Sequence, residues 1–379
     1  MTAPCITLRI EGDFVDSFIY SGTLFAVTAN AEIKTYDWAE IVDAALDECQ
    51  DDNSNLRDFL IDCRIGFGLG DVVKEYYVDS ALLNAAAVST INLAGWPTDI
   101  SLYANRFFIA DEKGVSEIKY NWQTRRLDPE TKFKVWNGYA YKVSANDNHR
   151  LAIAAGGRGV IAAFPRGGYI DERKDISTIV EEDSVDCEWI GSYLTSNSSS
   201  GSFVSTFAEL PKPPSGPIPQ TFWKRVNDLK YAIPDTGRHL IEGANAKYTW
   251  VAGRKLFSVL PDGLLVVQHV ALGSDAGDFN EITASRTLHD SAVANKIISG
   301  RSGWFGTVIE TSDGLYSITE DLTECLATRP VAWRVFPRAK SYVNHLHIVE
   351  SDHLCIRAYI GVSANTTIDQ FGVSVDEAE

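Results

Sequence analysis

The chain has 379 residues, 45% of them hydrophobic and 22% charged, a balance of folded globular proteins that excludes disorder over most of the length. Its 34 basic and 51 acidic side chains give a formal net charge of -17, which argues against non-specific binding to nucleic acid or anionic membranes, because both depend on Lys and Arg. No stretch reaches the ~18 apolar residues of a membrane span, and the start, MTAPCITLRIEGDF, lacks the basic and apolar regions of a signal peptide. In chain order, the first element is a lone strand, CITLRI, Cys5 to Ile10. Ser17 to Asp37 then reads strand, Ser-Gly turn, strand, Asn-Ala turn, strand. A change of period follows. Trp38, Ile41, Val42, Ala45, Leu46 and Cys49 recur at the spacing of one helical face, behind an Asp37-x-x-Glu40 start that resembles a capping box. A second short helix over Asn55 to Cys63 offers Leu56, Phe59 and Leu60, so 37–63 is expected to be a helical hairpin inserted into a chain of strands.

The order strand, turn, strand, turn, strand returns at Ile100 to Asn121, Tyr141 to Phe164 and Cys187 to Phe207, the last with a long hairpin tip at Ser196 to Ser202. Next comes PKPPSGPIPQ, Pro211 to Gln220, where five prolines exclude a paired strand. It is expected to be a stiff loop between blades four and five, with a polyproline-II ligand segment as the alternative. Further units follow at Tyr248 to His269 and Asn295 to Asp321, and a weaker one with a single clear hairpin at Tyr342 to Val362. The strands after the second turn begin near Glu32, Val115, Val160, Ser202, Leu264 and Leu315, in steps of 83, 45, 42, 62 and 51 residues. The two long steps contain the helical hairpin and the proline-rich loop.

A unit of ~40–50 residues made of short antiparallel strands has the period of a propeller blade. One blade cannot bury both of its faces alone, and stacking blades around an axis buries each against the next. Over nearly its whole length the sequence therefore resembles the β-propeller superfamily. WFGT at Trp304 and SDGLYSI at Ser312 are similar to the W-x-G-T … G-L-Y blades of bacterial sensor-type propellers. A strict WD40 assignment lacks its Gly-His and Trp-Asp signatures, so the resemblance is to WD40-like or sensor-type blades in general. The expected fold is all-β: one propeller domain over 1–379, with seven blades and six as the alternative. Cys5 to Ile10 is expected to close the ring by joining the last blade, and the acidic DEAE tail to fray.

Motifs for chemistry are sparse. The six cysteines form no CxxC pair, so reduced, small hydrophobic cysteines in a cytoplasmic protein are expected, without metal binding. His345 and His347 share one strand face, with His353 beyond the next turn, yet packing within the last blade is the stronger expectation. His289-Asp290 stands alone. Gly66 to Gly70 and Ala155 to Gly159 open no helix, which excludes a dinucleotide fingerprint, and the second reads as a blade turn with Arg158 at its tip. No Walker A or G-x-S-x-G motif is present, and EEDSVDCE, Glu181 to Glu188, lacks calcium-loop spacing. The leading expectation is a non-enzymatic platform or sensor subunit, without cofactor, that binds a protein partner or a multi-subunit complex. Its candidate contacts are Trp38, Ile41, Val42, Ala45, Leu46 and Phe59 of the helical insertion, with Arg158, Trp189 and Trp304 on blade turns. Trp96, Trp122 and Trp223 also stand beside turns. The alternative is a propeller enzyme or a small-ligand or carbohydrate binder that uses the central channel, which the resemblance permits.

Overall fold

The computed structural model describes residues 4–49, 54–62, 69, 73–146, 150–164, 176–208, 210–211, 214–230, 232–269, 282–288, 297–320, 322–339, 341–360 and 370–373. Seven four-stranded antiparallel meanders form the blades of a β-propeller. From the channel outward, blade 1 comprises Phe14–Tyr20, Thr23–Thr28, Glu32–Asp37 and Ala87–Asn92. Blade 2 comprises Asp99–Tyr103, Arg106–Asp111, Gly114–Asn121 and Arg126–Asn137, and blade 3 Lys142–Ala145, Leu151–Ala154, Val160–Ala163 and Ile176–Val180. Blade 4 comprises Ser184–Ile190, Tyr193–Ser198, Gly201–Thr206 and Asp235–Arg238, and blade 5 Tyr248–Ala252, Lys255–Val259, Leu264–His269 and Ile282–Thr287. Blade 6 is built from Ile297–Gly303, Gly306–Thr311, Gly314–Ile318 and Thr323–Ala327. Blade 7 takes Ala332–Val335, His345–Val349 and His353–Tyr359 from the C-terminal part and Cys5–Glu11 from the N-terminus.

That last pairing closes the ring. Cys5 lies opposite Tyr359 and Glu11 opposite His353, antiparallel and without a register shift. It also explains why the seventh unit looks weak in sequence: its outer strand comes from the N-terminus, and its inner strand, Ala332–Val335, lies upstream of the repeat boundary read at Tyr342. A fifth strand, Lys74–Val78, runs parallel to Cys5–Glu11 on its outer side, so the closing strand presents no open edge.

The helical insertion belongs within blade 1, between its third and fourth strands, and not between the first two blades. The reason is that Ala87–Asn92 pairs back onto Glu32–Asp37. It contains α1 (Trp38–Glu48), α2 (Ser54–Ile61), the strand Lys74–Val78 and α3 (Ser80–Ala85). Asp37 caps α1 by accepting a hydrogen bond from the Ala39 amide at 3.0 Å. The proline-rich stretch is displaced in the same sense. Pro211 and Gln220 lie between the third and fourth strands of blade 4, ahead of α4 (Gln220–Lys230), so the stretch is an intra-blade excursion and not a crossing to blade 5. None of the described helices is long and apolar enough to cross a membrane. The glycines of Gly66 to Gly70, His149, His289-Asp290 and the DEAE tail lie outside the described residues.

Candidate functional site: the central channel and its mouth

In an antiparallel meander the connection from one blade's outer strand to the next blade's inner strand lies at the same end of the ring as the hairpin between the second and third strands. That end is the mouth of the channel, and each inner strand starts there. Three inner strands shift register near their starts, between Phe14 and Asp16, Ser184 and Asp186, and Ile297 and Ser299. A β-bulge bends the strand and re-aims the side chains beside it. Asp16 and Asp186 therefore occupy equivalent places in blades 1 and 4, and each meets an arginine.

Around Arg301 of blade 6, three other blades contribute. Its Nη2 donates to Asp186 Oδ1 at 2.8 Å and its Nη1 to Asp186 Oδ2 at 3.3 Å. Its Nε faces Glu188 Oε2 at 3.3 Å, and Lys142 Nζ of blade 3 lies 3.8 Å from Asp186 Oδ1. The Tyr248 hydroxyl of blade 5 also donates to Asp186. Burial raises the Asp186 pKa, but the charges of Arg301 and Lys142 and the hydrogen bonds outweigh it and hold the carboxyl well below the usual range. Glu188 moves the other way: burial pushes it up, and Arg301 offsets only part of that rise. The guanidinium commits two hydrogen bonds to Asp186, so Glu188 receives the weaker share. Around Arg334 of blade 7, Nε and Nη2 donate to Asp16 at 2.8 and 2.6 Å, and Nη2 also donates to Asp99 of blade 2 at 2.8 Å. Every blade thus places a charged or hydroxyl group in one of two clusters. A cavity of about 680 Å³ occupies the channel between them; four carboxylates (Asp16, Asp99, Glu188, Glu310) and four cations (Lys142, Arg301, Arg334, Arg338) line it.

The mouth has a different surface. Trp96, the pair Tyr139 and Tyr141, Leu240 and Val331 lie on four connections between successive blades, and Val185 and Ile298 are the second residues of two inner strands; each is a large apolar side chain that is 43–62% exposed. The two tyrosine rings lie 4.6 Å apart. Between them stand exposed acidic residues on hairpins and connections, Asp13, Glu112, Asp183, Asp262, Asp313 and Asp352, against exposed Lys113, Arg158 and Arg329. An apolar ring on an acidic field therefore surrounds a channel whose own lining charges balance.

The residues singled out in sequence fall into three groups. Trp38, Ile41, Val42, Ala45, Leu46 and Phe59 are all buried, packed with Leu56, Leu60, Tyr76, Val78, Ile6, Leu8 and Leu354. The Trp38 ring nitrogen donates to Leu60 O at 2.9 Å. The amphipathic face expected to contact a partner is turned inward against the closing strands of blade 7, and these six side chains are not surface contacts. Trp189 is buried as well, its Nε1 donating to Ser144 O at 3.1 Å between blades 3 and 4. Trp304 is half-buried against the apolar cluster of blades 6 and 7. Arg158 is exposed at a hairpin tip on the mouth, its guanidinium 5.8 Å from the Trp136 ring. Trp96, Trp122 and Trp223 are exposed, Trp96 on the mouth and the other two on connections at the opposite end.

His345 and His347 do share one strand face. Their rings lie 6.1 Å apart in the core, beside Trp38, Tyr342 and Phe336, and His347 Nδ1 meets Ser17 Oγ at 3.0 Å. His353 does not join them; it contacts Asp352 at 2.7 Å and Arg9 at 2.8 Å instead. Among the described residues, no three or more His, Cys, Asp or Glu side chains gather as metal ligands would.

The sequence reading missed the channel clusters. A signal was present: Val-Asp recurs at positions 15–16 and 185–186, each two residues into an inner strand, and Asp99 begins another. No family model matches the sequence, and no curated protein matches it either.

Proposed function

We propose that the protein is a non-enzymatic interaction platform whose docking face is the mouth of the channel, and that its partner presents a basic segment with apolar or aromatic anchors. The observation that carries this reading is the ring of exposed apolar side chains on four inter-blade connections and at the starts of two inner strands, all at one end of the propeller. Scattered single apolar residues are ordinary on a protein surface, whereas a set gathered on one face is the signature of a contact area. Trp, Tyr and similar side chains supply anchors, and rigid blades hold the loops that carry them. Charge selects the occupant. The mouth exposes more acidic than basic groups and the chain carries a net charge of -17, so a second copy is repelled and a basic partner is attracted. The reduced cysteines fit a cytoplasmic setting for that encounter.

The test compares three tagged full-length proteins recovered from the native cell: wild type, a Tyr139→Ser/Tyr141→Ser/Val331→Ser rim variant, and Trp122→Ser at the opposite end. A protein with a basic segment should be recovered stoichiometrically with wild type and Trp122→Ser and be lost with the rim variant. The purified pair should also weaken as salt is raised. Equal recovery by all three baits, or a pairing insensitive to salt, rejects the mouth as the docking face. A second reading, a ligand site inside the channel, is favoured by the balanced charges of its lining.

A further inference from the structure

Among the described residues lining the cavity of about 680 Å³, two buried polar atoms make no hydrogen bond: Arg338 Nη2, and Glu188 Oε2, which has only a 3.3 Å charge contact with Arg301 Nε. Such orphans are rare in folded proteins, and each destabilises by the lost solvation of its group unless a bound molecule or ordered water meets it. Their neighbours hold both side chains in place. Arg338 follows the inner strand of blade 7 and crosses the channel to blade 3, where its Nη1 donates to Ala145 O at 2.7 Å. Its guanidinium also lies 4.7 Å from the Tyr103 ring. Glu188 is kept on the adjoining strand by Arg301 at 3.3 Å, and the next amide, Trp189 N, donates to Ser144 Oγ at 3.3 Å. A third polar group, Lys142 Nζ, has a 3.8 Å charge contact with Asp186, beyond hydrogen-bond distance.

We propose that this part of the channel binds a zwitterionic amino acid or short peptide, with its carboxylate on Arg338 and its ammonium group on Glu188. The spacing fits. Arg338 is held at Ala145 and the residue after Glu188 at Ser144, neighbours on one inner strand, so at ~3.3 Å per residue the two groups lie within about 7 Å of each other along the axis. A lining with equal numbers of carboxylates and cations favours a ligand of zero net charge, since a net anion or cation leaves one set of lining charges uncompensated. Phe18 and Phe336 add apolar wall for a side chain, and the volume lies in the usual range of small-molecule sites, roughly 300–1,000 Å³. This site is separate from the mouth and does not rest on the docking proposal.

The test is calorimetric titration of the full chain with the common free L-amino acids and with triglycine, at millimolar concentration. At least one should bind saturably. Its N-acetylated and its C-amidated forms should each bind about tenfold more weakly or worse, because each leaves one charged partner unmatched. Glu188→Gln should erase the penalty for N-acetylation, and Arg338→Gln the penalty for amidation. Should either variant fail to fold, the blocked probes on the wild-type protein still decide. No saturable binding by any probe, or equal binding of free and blocked forms, overturns the proposal. The rim variant of the docking test should bind the same probe unchanged, so either idea can fail alone.

Discussion

Replacing Asp186 with Asn retains the side chain's shape and removes the charge that anchors four blades. Arg301 would then keep only Glu188 as a partner, while Tyr248 and Lys142 would lose their shared acceptor. The side chains of Asp186 and Arg301 are only 10% and 11% exposed, so water does not replace the lost pair. Breaking a buried ion pair from one side costs about 3–5 kcal/mol, because a charge is left uncompensated. With an unfolding entropy near 2.1 cal/mol/K per residue, a chain of this length loses roughly 0.8 kcal/mol per degree, so the midpoint should fall by about 4–6 °C. Arg301→Met should cost a similar amount. The double variant should cost far less than the sum, with a coupling energy of about 2–3 kcal/mol in a double-mutant cycle from urea titrations. The dependence on pH adds a second check. Asp186 is held below its unfolded value, so its contribution is complete above pH ~4 and is lost as pH falls further through the native value. The gap between wild type and Asp186→Asn should therefore be level from neutral pH to about pH 5 and close below pH ~4. Single-variant losses under about 1 kcal/mol, or strictly additive ones, would show that solvent screens the cluster and refute the argument.

Two further outcomes concern the joint of blades 7 and 1. Burial holds His345 at about 3 and His347 well below its ordinary value. Both are thus neutral in the fold but protonate when unfolded, so stability is full above pH ~6.5 and declines as pH falls below it, by about 2 kcal/mol for each ring at pH 5. Phe replacement of both should flatten that slope between pH 7 and 5, and an unchanged slope would assign it to other groups. Trp38→Ala should destabilise by about 3–5 kcal/mol, read by chemical denaturation, since it empties a fully buried site. A loss below about 1 kcal/mol would mean that the helices only decorate the ring.

Those helices show what a single sequence can and cannot reveal. The period of α1 was legible because every third or fourth residue from Trp38 meets the same apolar cluster, and its start because Asp37 is a strong cap. The first three strands of blades 1 to 6 were legible as well, since short turns rich in Gly, Ser, Asn and Asp separate them. Most fourth strands were not. Ile176–Val180 and Asp235–Arg238 are mostly exposed, and Arg126–Asn137 carries two register shifts, so neither apolar alternation nor length marks them. Missing them moved the helical insertion and the proline-rich stretch from within a blade to between blades. The channel clusters were hidden for another reason. Asp16 meets Arg334 across 318 positions and Asp186 meets Arg301 across 115, so no local spacing joins them.

The same clusters bear on where recognition occurs. The channel cavity has four acidic and four basic groups in its lining, so it contributes no net charge. The chain's charge of -17 therefore belongs to the rest of the molecule. A buried charge without a counter-charge would destabilise the ring, and pairing each guanidinium with two carboxylates from other blades (blade 4 for Arg301, blades 1 and 2 for Arg334) removes that penalty while fixing the blades' relative positions. Pairing also consumes most of the hydrogen-bonding capacity inside the channel, leaving few groups such as Glu188 and Arg338 to meet a guest. The outer surface is under no such constraint. Acidic side chains at hairpin tips on the mouth remain solvated, act at distances up to a Debye length of about 8 Å, and set the rate at which a basic partner arrives. In the two roles proposed above, the surfaces would divide the work: the mouth would select by long-range charge and apolar contact, and the channel by matching a few buried polar atoms.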